Sequence, residues 1–163
     1  MNENTDRVAT EILMPLDEAR YGARYRDDLI TLYRDYVASA DSVSARRTAA
    51  NSFFVTINTA LLGIRGYFDV KSDETVIILA VVGILLSLVW YRMIESYRAL
   101  NGSKFRVIQL MERQLPLAAY TAEEYVQDHG PKVHQGLSSV EAYVPMLFAL
   151  LHVAIAVYHF AGG

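Results

Sequence analysis

Apolar positions are spread unevenly along the chain. Residues 48–91 and 140–161 hold nearly all the long apolar runs, while 15–47 and 92–136 hold most of the charge. A membrane-spanning helix needs about 20 largely apolar residues to cross roughly 30 Å of hydrocarbon. Residues 75–90 (TVIILAVVGILLSLVW) contain no charge, and Trp90 and Tyr91 form an interfacial aromatic pair with Arg92 on the water side. Residues 142–160 (AYVPMLFALLHVAIAVYHF) are charge-free when His152 and His159 are neutral. Pro145 falls in the first turn of that run, where a missing N–H costs little. Residues 48–68 are long enough to span but carry Asn51, Thr56, Asn58, Thr59 and Arg65. Followed by Lys71-Ser72-Asp73-Glu74 and then a strong span, they read as the first leg of a tight helical hairpin. The pattern predicts three transmembrane helices.

The charged stretches have a helical period of their own. Tyr21, Tyr25, Leu29, Leu32, Tyr36, Ala40 and Val43 recur every three or four residues, so 17–47 reads as one amphipathic helix opened by Pro15 and Asp17. No Pro or Gly separates this helix from the first span, so a single rod of about 50 residues, roughly 75 Å long, is expected. Over 92–115, Ile94, Tyr97, Phe105, Ile108, Met111 and Leu115 form a second apolar stripe, with Asn101-Gly102 as a kink point and Pro116 after its end. Residues 120–139 read as a polar loop broken by Gly130-Pro131 and Gly136. Packing of the cytoplasmic helices is assigned to Tyr25, Leu29, Leu32, Tyr36, Tyr97, Phe105 and Ile108.

The predicted fold is therefore an all-α integral membrane protein, three transmembrane helices with long cytoplasmic amphipathic helices. Its divisions are a cytoplasmic N-terminal segment and helix (1–47), a transmembrane hairpin (48–91), a cytoplasmic helix and loop (92–139), and a third span with an outer C-terminus (140–163). Orientation follows from the basic residues. All 15 Lys and Arg except Arg65 and Lys71 lie in 1–47 or 92–132, which places those segments inside and the 69–74 turn outside. Residues 1–14 lack the apolar core of a secretory signal, so insertion through the first hairpin is expected.

Composition narrows the function classes. The 163 residues are 53 % apolar, above the roughly 45–50 % of soluble domains, and mean hydropathy is +0.18. With no cysteine, neither a disulfide framework nor a Cys-ligated zinc module is available. A formal charge of −3 argues against nucleic acid as a partner.

The most informative chemistry is a polar stripe in the first span. Ser44, Asn51, Asn58 and Arg65 recur every seven residues and drift only about 20° per step around a helix. Polar side chains are costly against lipid and face protein or water. Asn51, Asn58 and Arg65 are thus either hydrogen-bonding glue, within the hairpin or between subunits, or the lining of a conduit with Arg65 at its outer mouth. Burying such a stripe in a small intramembrane core favours self-association. His152 and His159 lie seven apart on the third span and His129 and His134 in the loop, without the HExxH spacing of a zinc site; a helix–helix hydrogen bond is expected of His152 and an interfacial position of His159. Ser138 and Ser139 lack the strand–turn–helix setting of a nucleophile elbow. Arg92, Arg98, Lys104, Arg106 and Arg113 have the charge to hold anionic lipid or a nucleotide, although basic residues accompany any cytoplasmic face of this topology. The 11 tyrosines, four of them at 21, 25, 33 and 36, suit helix–helix contact. No catalytic residue, cofactor or metal is expected.

Two segments carry a family resemblance. Ser44-x-Arg46-Arg47 and Ala50-Asn51-Ser52-Phe53-Phe54, then Trp90-Tyr91-Arg92, Ser96-Tyr97-Arg98, Leu100-Asn101, Lys104-Phe105 and Leu115-Pro116, resemble the RipA-type family of small octameric bacterial inner-membrane proteins. The likeness covers most of 30–116 and, more loosely, 141–145. It implies a ring-like homo-octamer in the inner membrane, contacts with membrane lipids, no assigned catalysis, and a link to stress or pH adaptation. In outline the chain is also similar to the SLATT-type effectors of bacterial nucleotide-signalled defence, although the third span departs from their two-span pattern. The expected function is that of a non-enzymatic homo-oligomeric inner-membrane protein. The alternative is a channel or pore-forming effector gated from the cytoplasmic side.

Overall fold

A computed structural model describes residues 3–68, 72–130 and 141–161, without the side chains of Glu3, Arg65 and Phe68. Among the described residues every regular element is a helix: α1 (Glu3–Leu13), α2 (Glu18–Tyr21), α3 (Tyr25–Phe68), α4 (Asp73–Glu112), α5 (Ala119–His129) and α6 (Tyr143–Ala161). Residues 1–43 and 100–133 make one compact unit, and 44–99 with 134–163 make a second. Helices α3 and α4 contribute to both.

The amphipathic helix expected over 17–47 is interrupted. Asp17 caps α2 by accepting the Arg20 N–H at 2.8 Å. One turn later the Gly22 N–H donates to the Glu18 carbonyl and φ there is +99°, a left-handed conformation that glycine adopts without a Cβ clash. The long helix restarts at Tyr25 with Asp27 and Asp28 in its first turn, where carboxylates offset the positive end of the helix dipole. From there it runs unbroken for 44 residues into the apolar leg, with no Pro in it and with Gly63 and Gly66 only near its far end. Helix α4 is likewise continuous through Asn101 and Gly102 and ends at Glu112.

Two helices were not legible as such. Helix α1 turns Asp6, Ala9, Thr10 and Leu13 inward and leaves Val8 and Ile12 exposed, so its apolar residues do not mark the face that packs. Helix α5 occupies part of the stretch read as loop. Ala118 at its start makes no capping hydrogen bond, and its capping group comes from elsewhere in the fold. Of the expected breakers, Gly130 follows α5 directly, while Pro131 and Gly136 lie outside the described residues.

The unit made of 44–99 and 141–161 is a three-helix bundle. Asn51 meets Trp90 and Asn58 meets Ser87, so α4 descends against α3; Asn58 also meets His152, and α6 runs alongside α3 in the same direction. Phe54, Trp90 and Ile94 form its buried apolar centre, with Ile57, Leu86, Met93, Val144 and Phe148 packed around them. Trp90 stacks on Phe54 at 5.8 Å and tilts against Phe148 at 5.9 Å. Helices α4 and α6 are long and apolar enough to cross a membrane, with windows of mean hydropathy 2.3 and 1.9 of which only 28 % and 11 % is buried. Surface that apolar and that open needs lipid or another protein against it. The polar residues of 48–68 keep α3 out of that class.

In the other unit, Leu29, Ala40 and Val43 of α3 and Ile108, Leu110 and Met111 of α4 are the buried apolar residues. Ile108 is completely buried. Replacing it with Ala is expected to cost about 3 kcal/mol, from lost burial plus an unfilled cavity. Thermal unfolding followed by circular dichroism in detergent measures this, and an unchanged melting temperature would place Ile108 outside the core.

Candidate functional site

The polar stripe of α3 becomes a buried network once α4 and α6 pack on it. Asn58 is fully buried. Its Nδ2 donates to the Phe54 carbonyl one turn back at 2.9 Å, which fixes the amide so that Oδ1 points across the bundle. That oxygen lies 3.2 Å from Ser87 Oγ of α4 and 3.3 Å from His152 Nε2 of α6. Because Oδ1 only accepts, the network places the imidazole proton on Nε2. The single Ser87 hydroxyl proton faces two acceptors, Asn58 Oδ1 and the closer Gly83 carbonyl at 2.9 Å. Two turns earlier on α3, Asn51 Oδ1 accepts the Trp90 indole N–H at 2.8 Å.

Gly83 makes this arrangement possible. A Cβ there would lie 2.2–2.4 Å from three atoms of the His152 ring, so the imidazole rests directly on the α4 backbone. An ion pair and a histidine–carboxylate contact bracket the network. Arg47 of α3 meets Glu141, just before α6, at 3.6 Å, and His159 near the far end of α6 meets Asp73 at the start of α4 at 2.8 Å.

These contacts show which predicted residues come together. Asn51 and Asn58 do, with partners from the chain's own helices, so a neighbouring subunit is not needed to cover them. His152 makes a helix–helix hydrogen bond. Arg65 lies outside the described side chains. Sequence reasoning missed Ser87 and Gly83 as partners. Ser87 is the one hydroxyl in the 75–90 run after Thr75 and Gly83 its one glycine, and that was the available signal.

The other unit has its own polar centre at Glu112, a buried carboxylate. It accepts the backbone N–H groups of Tyr120 and Thr121 at 2.9 Å each, the Thr121 hydroxyl at 2.8 Å and the Tyr33 hydroxyl at 3.1 Å. Glu112 thus caps α5 from the end of α4. Burial pushes its carboxyl upward, but the hydrogen bonds from Tyr120, Thr121 and Tyr33 outweigh it and hold the group below the usual range. Burial, then the same hydrogen bond, push the Tyr33 phenol up to about 12. Asp6 of α1 is clamped by Arg106, with Arg113 at 3.5 Å, and Arg106 and Glu124 both bond to Gln109.

Of the packing residues expected on the cytoplasmic helices, Leu29 and Ile108 are buried, Phe105 packs on the Tyr120 ring at 5.6 Å, and Tyr25 reaches Met14. Tyr36 carries the Lys104 ammonium 4.7 Å above its ring. Leu32 is exposed on the wall of an open cavity of about 320 Å³ that Tyr21, Tyr25, Leu29, Tyr36 and Met111 also line. Tyr97 is half-buried and belongs to the three-helix unit instead. His129 stacks on Tyr125 at 4.3 Å; His134, Ser138 and Ser139 lie outside the described residues. Among the described residues, no three His, Asp or Glu side chains converge on a point that a metal could take.

The sequence profile of the octameric membrane protein family (8xMP) matches residues 30–161, which include the whole three-helix unit. The chain belongs to the octameric membrane protein family. No curated protein and no solved structure matches it. The match begins within α3 and so leaves out α1, α2 and Gly22, while Asn51, Asn58, Ser87, Glu112 and His152 all fall inside it.

Two outcomes follow from these geometries. Gly83→Ala is expected to lift His152 off α4 and destabilise the three-helix unit by about 3 kcal/mol, since the clash involves a buried ring held on its other side; an unaltered melting temperature in detergent would refute the close approach. Glu112 titrates below its unfolded value of about 4.3, so its stabilisation is complete above that pH and is lost as the pH falls through the folded pKa. Glu112→Gln should therefore cost about 2 kcal/mol at neutral pH and flatten the acid limb of a stability–pH curve. A variant with an unchanged acid limb would exclude Glu112 as its source.

Proposed function

We propose that this member of the family is a non-enzymatic, homo-octameric inner-membrane protein in which the three-helix unit is the membrane part. Each subunit crosses three times, with α3 over 48–68, the first half of α4, and α6. The N-terminus and α5 lie in the cytoplasm and the end of α6 outside. The observation that carries the reading is the closure of the Asn58–Ser87–His152 network inside one chain. It removes the obstacle to embedding the 48–68 leg, whose amides would otherwise meet acyl chains. The apolar outer faces of α4 and α6 are then left for lipid and for neighbouring subunits. Stress or pH adaptation is the physiological setting proposed for this assembly.

A gated pore remains the rival. It requires polar side chains on a water-filled axis, and its support is weaker because Asn51 and Asn58 already have partners within the subunit. The chain has no cysteine, so single cysteines report topology cleanly. Tyr67 and Leu117 are both well exposed. Tyr67→Cys is expected to react with an impermeant maleimide from outside, Leu117→Cys only after the membrane is opened, and Thr56→Cys from neither side. Labelling of positions 67 and 117 from the same face would overturn the three-span arrangement. Extracted particles should weigh eight times the 18.3 kDa subunit; a monomer would overturn the assembly. Single-channel conductance in planar bilayers, altered by Asn58→Leu, would favour the pore.

A further inference from the structure

Between α4 and α6, within the three-helix unit, lies an open groove of about 280 Å³ lined by Tyr91, Glu95, Arg98, Ala142, Tyr143 and Met146. One wall offers a cation and an anion side by side, Arg98 Nη1 donating to Glu95 Oε1 at 2.9 Å. The other offers a tyrosine and the apolar flank of α6, with Tyr143 and Met146 both well exposed.

Its position matters as much as its chemistry. The apolar run of α4 closes at Trp90 and Tyr91, residues that settle at the boundary between hydrocarbon and water. Glu95 and Arg98 come four and seven residues later, about 6 and 10 Å further along the helix. Side chains of that length reach back toward the boundary. Tyr143 and Met146 open α6 at the same end of the bundle, since Trp90 packs on Phe148. On the membrane placement proposed above, the groove therefore sits at the depth of phospholipid headgroups on the cytoplasmic side.

We propose that this groove binds one phospholipid carrying a primary ammonium, a phosphatidylethanolamine-type headgroup. The phosphate lies on Arg98, whose guanidinium keeps N–H donors beyond the one given to Glu95. The ammonium lies on the Glu95 carboxylate, where an N–H donor forms a charge-assisted hydrogen bond that a choline headgroup, with no N–H, does not make. The acyl chains run down past Met146 along the exposed α6 face. A headgroup of this kind sets its two charges opposite the two charges of the wall. An anionic lipid without the ammonium gains Arg98 but is repelled by Glu95. Basic recesses between spans are known sites for lipid headgroups, and the paired carboxylate here changes the preferred lipid from anionic to zwitterionic.

The test is native mass spectrometry of the full chain in detergent, titrated separately with phosphatidylethanolamine, phosphatidylcholine, phosphatidylglycerol and water-soluble phosphoethanolamine. One phosphatidylethanolamine per subunit is expected, held about tenfold more tightly than either other lipid, the worth of one charge-assisted hydrogen bond. Phosphoethanolamine should not hold, because it lacks the acyl chains. Glu95→Gln should erase the preference over phosphatidylglycerol with the melting temperature unchanged, and Arg98→Gln should weaken all three lipids. Equal retention of the three lipids, binding of phosphoethanolamine alone, or an unchanged preference in Glu95→Gln would overturn the proposal. Lipid per subunit is counted whatever the oligomer, so a monomeric particle bears on the assembly and not on this site, whereas a failed topology test would remove the headgroup depth on which the site rests.

Discussion

A polar side chain buried among apolar helices has to find its partners in protein, because apolar neighbours offer it no hydrogen bond. Asn58 meets this constraint within one chain. Its amide nitrogen bonds to its own helix, and its oxygen gathers a hydroxyl from α4 and an imidazole from α6. Each of the three helices of the unit is therefore held to a common atom. The buried apolar cluster of Phe54, Trp90 and Ile94 lies in the same unit, and Phe54 supplies the carbonyl to which the amide nitrogen is bonded. Polar groups of this kind add little energy each in a bilayer, where unpaired alternatives also find partners. They do fix register, since a one-residue slip of α4 or α6 would strand the Asn58 oxygen.

The same logic, a buried polar group satisfied from another element, orders the second unit around Glu112. The carboxylate ends α4, begins α5 by accepting its first N–H groups, and ties both to α3 through Tyr33. Here the group is an ionised carboxylate, held in its charged form because four donors converge on it. The two centres differ in chemistry as their surroundings differ: neutral amide, hydroxyl and imidazole among apolar helices, an anion with charged neighbours in the charged part of the chain.

Much of this was legible in the residues. The two strongly apolar runs, the continuation of one long helix into the 48–68 leg, and the seven-residue recurrence of Asn51 and Asn58 can all be read from periodicity, because each depends on one helix face. What was not legible depended on a second segment. The start of the long helix was misplaced because Gly22, inside an otherwise periodic stripe, takes a left-handed turn. Helix α1 was missed because its packed face is anchored by Asp6 to Arg106, a hundred residues away. Helix α5 was missed because its cap is Glu112 and not a local Ser, Thr or Asp.

The amino-acid order alone settled that the chain is helical, that α4 and α6 are apolar enough for a membrane, and that one face of α3 is polar within an apolar leg. These are properties of a single helix, set by spacing and side-chain type, and a helix carries its own backbone hydrogen bonds wherever it lies. Which groups that polar face would meet was decided only by packing. Ser87, Gly83 and His152 are separated from Asn58 by 29, 25 and 94 residues, and nothing local distinguishes them as partners. A hydrogen bond acts only between atoms a few ångströms apart, and distances of that kind exist only once three helices have taken their places.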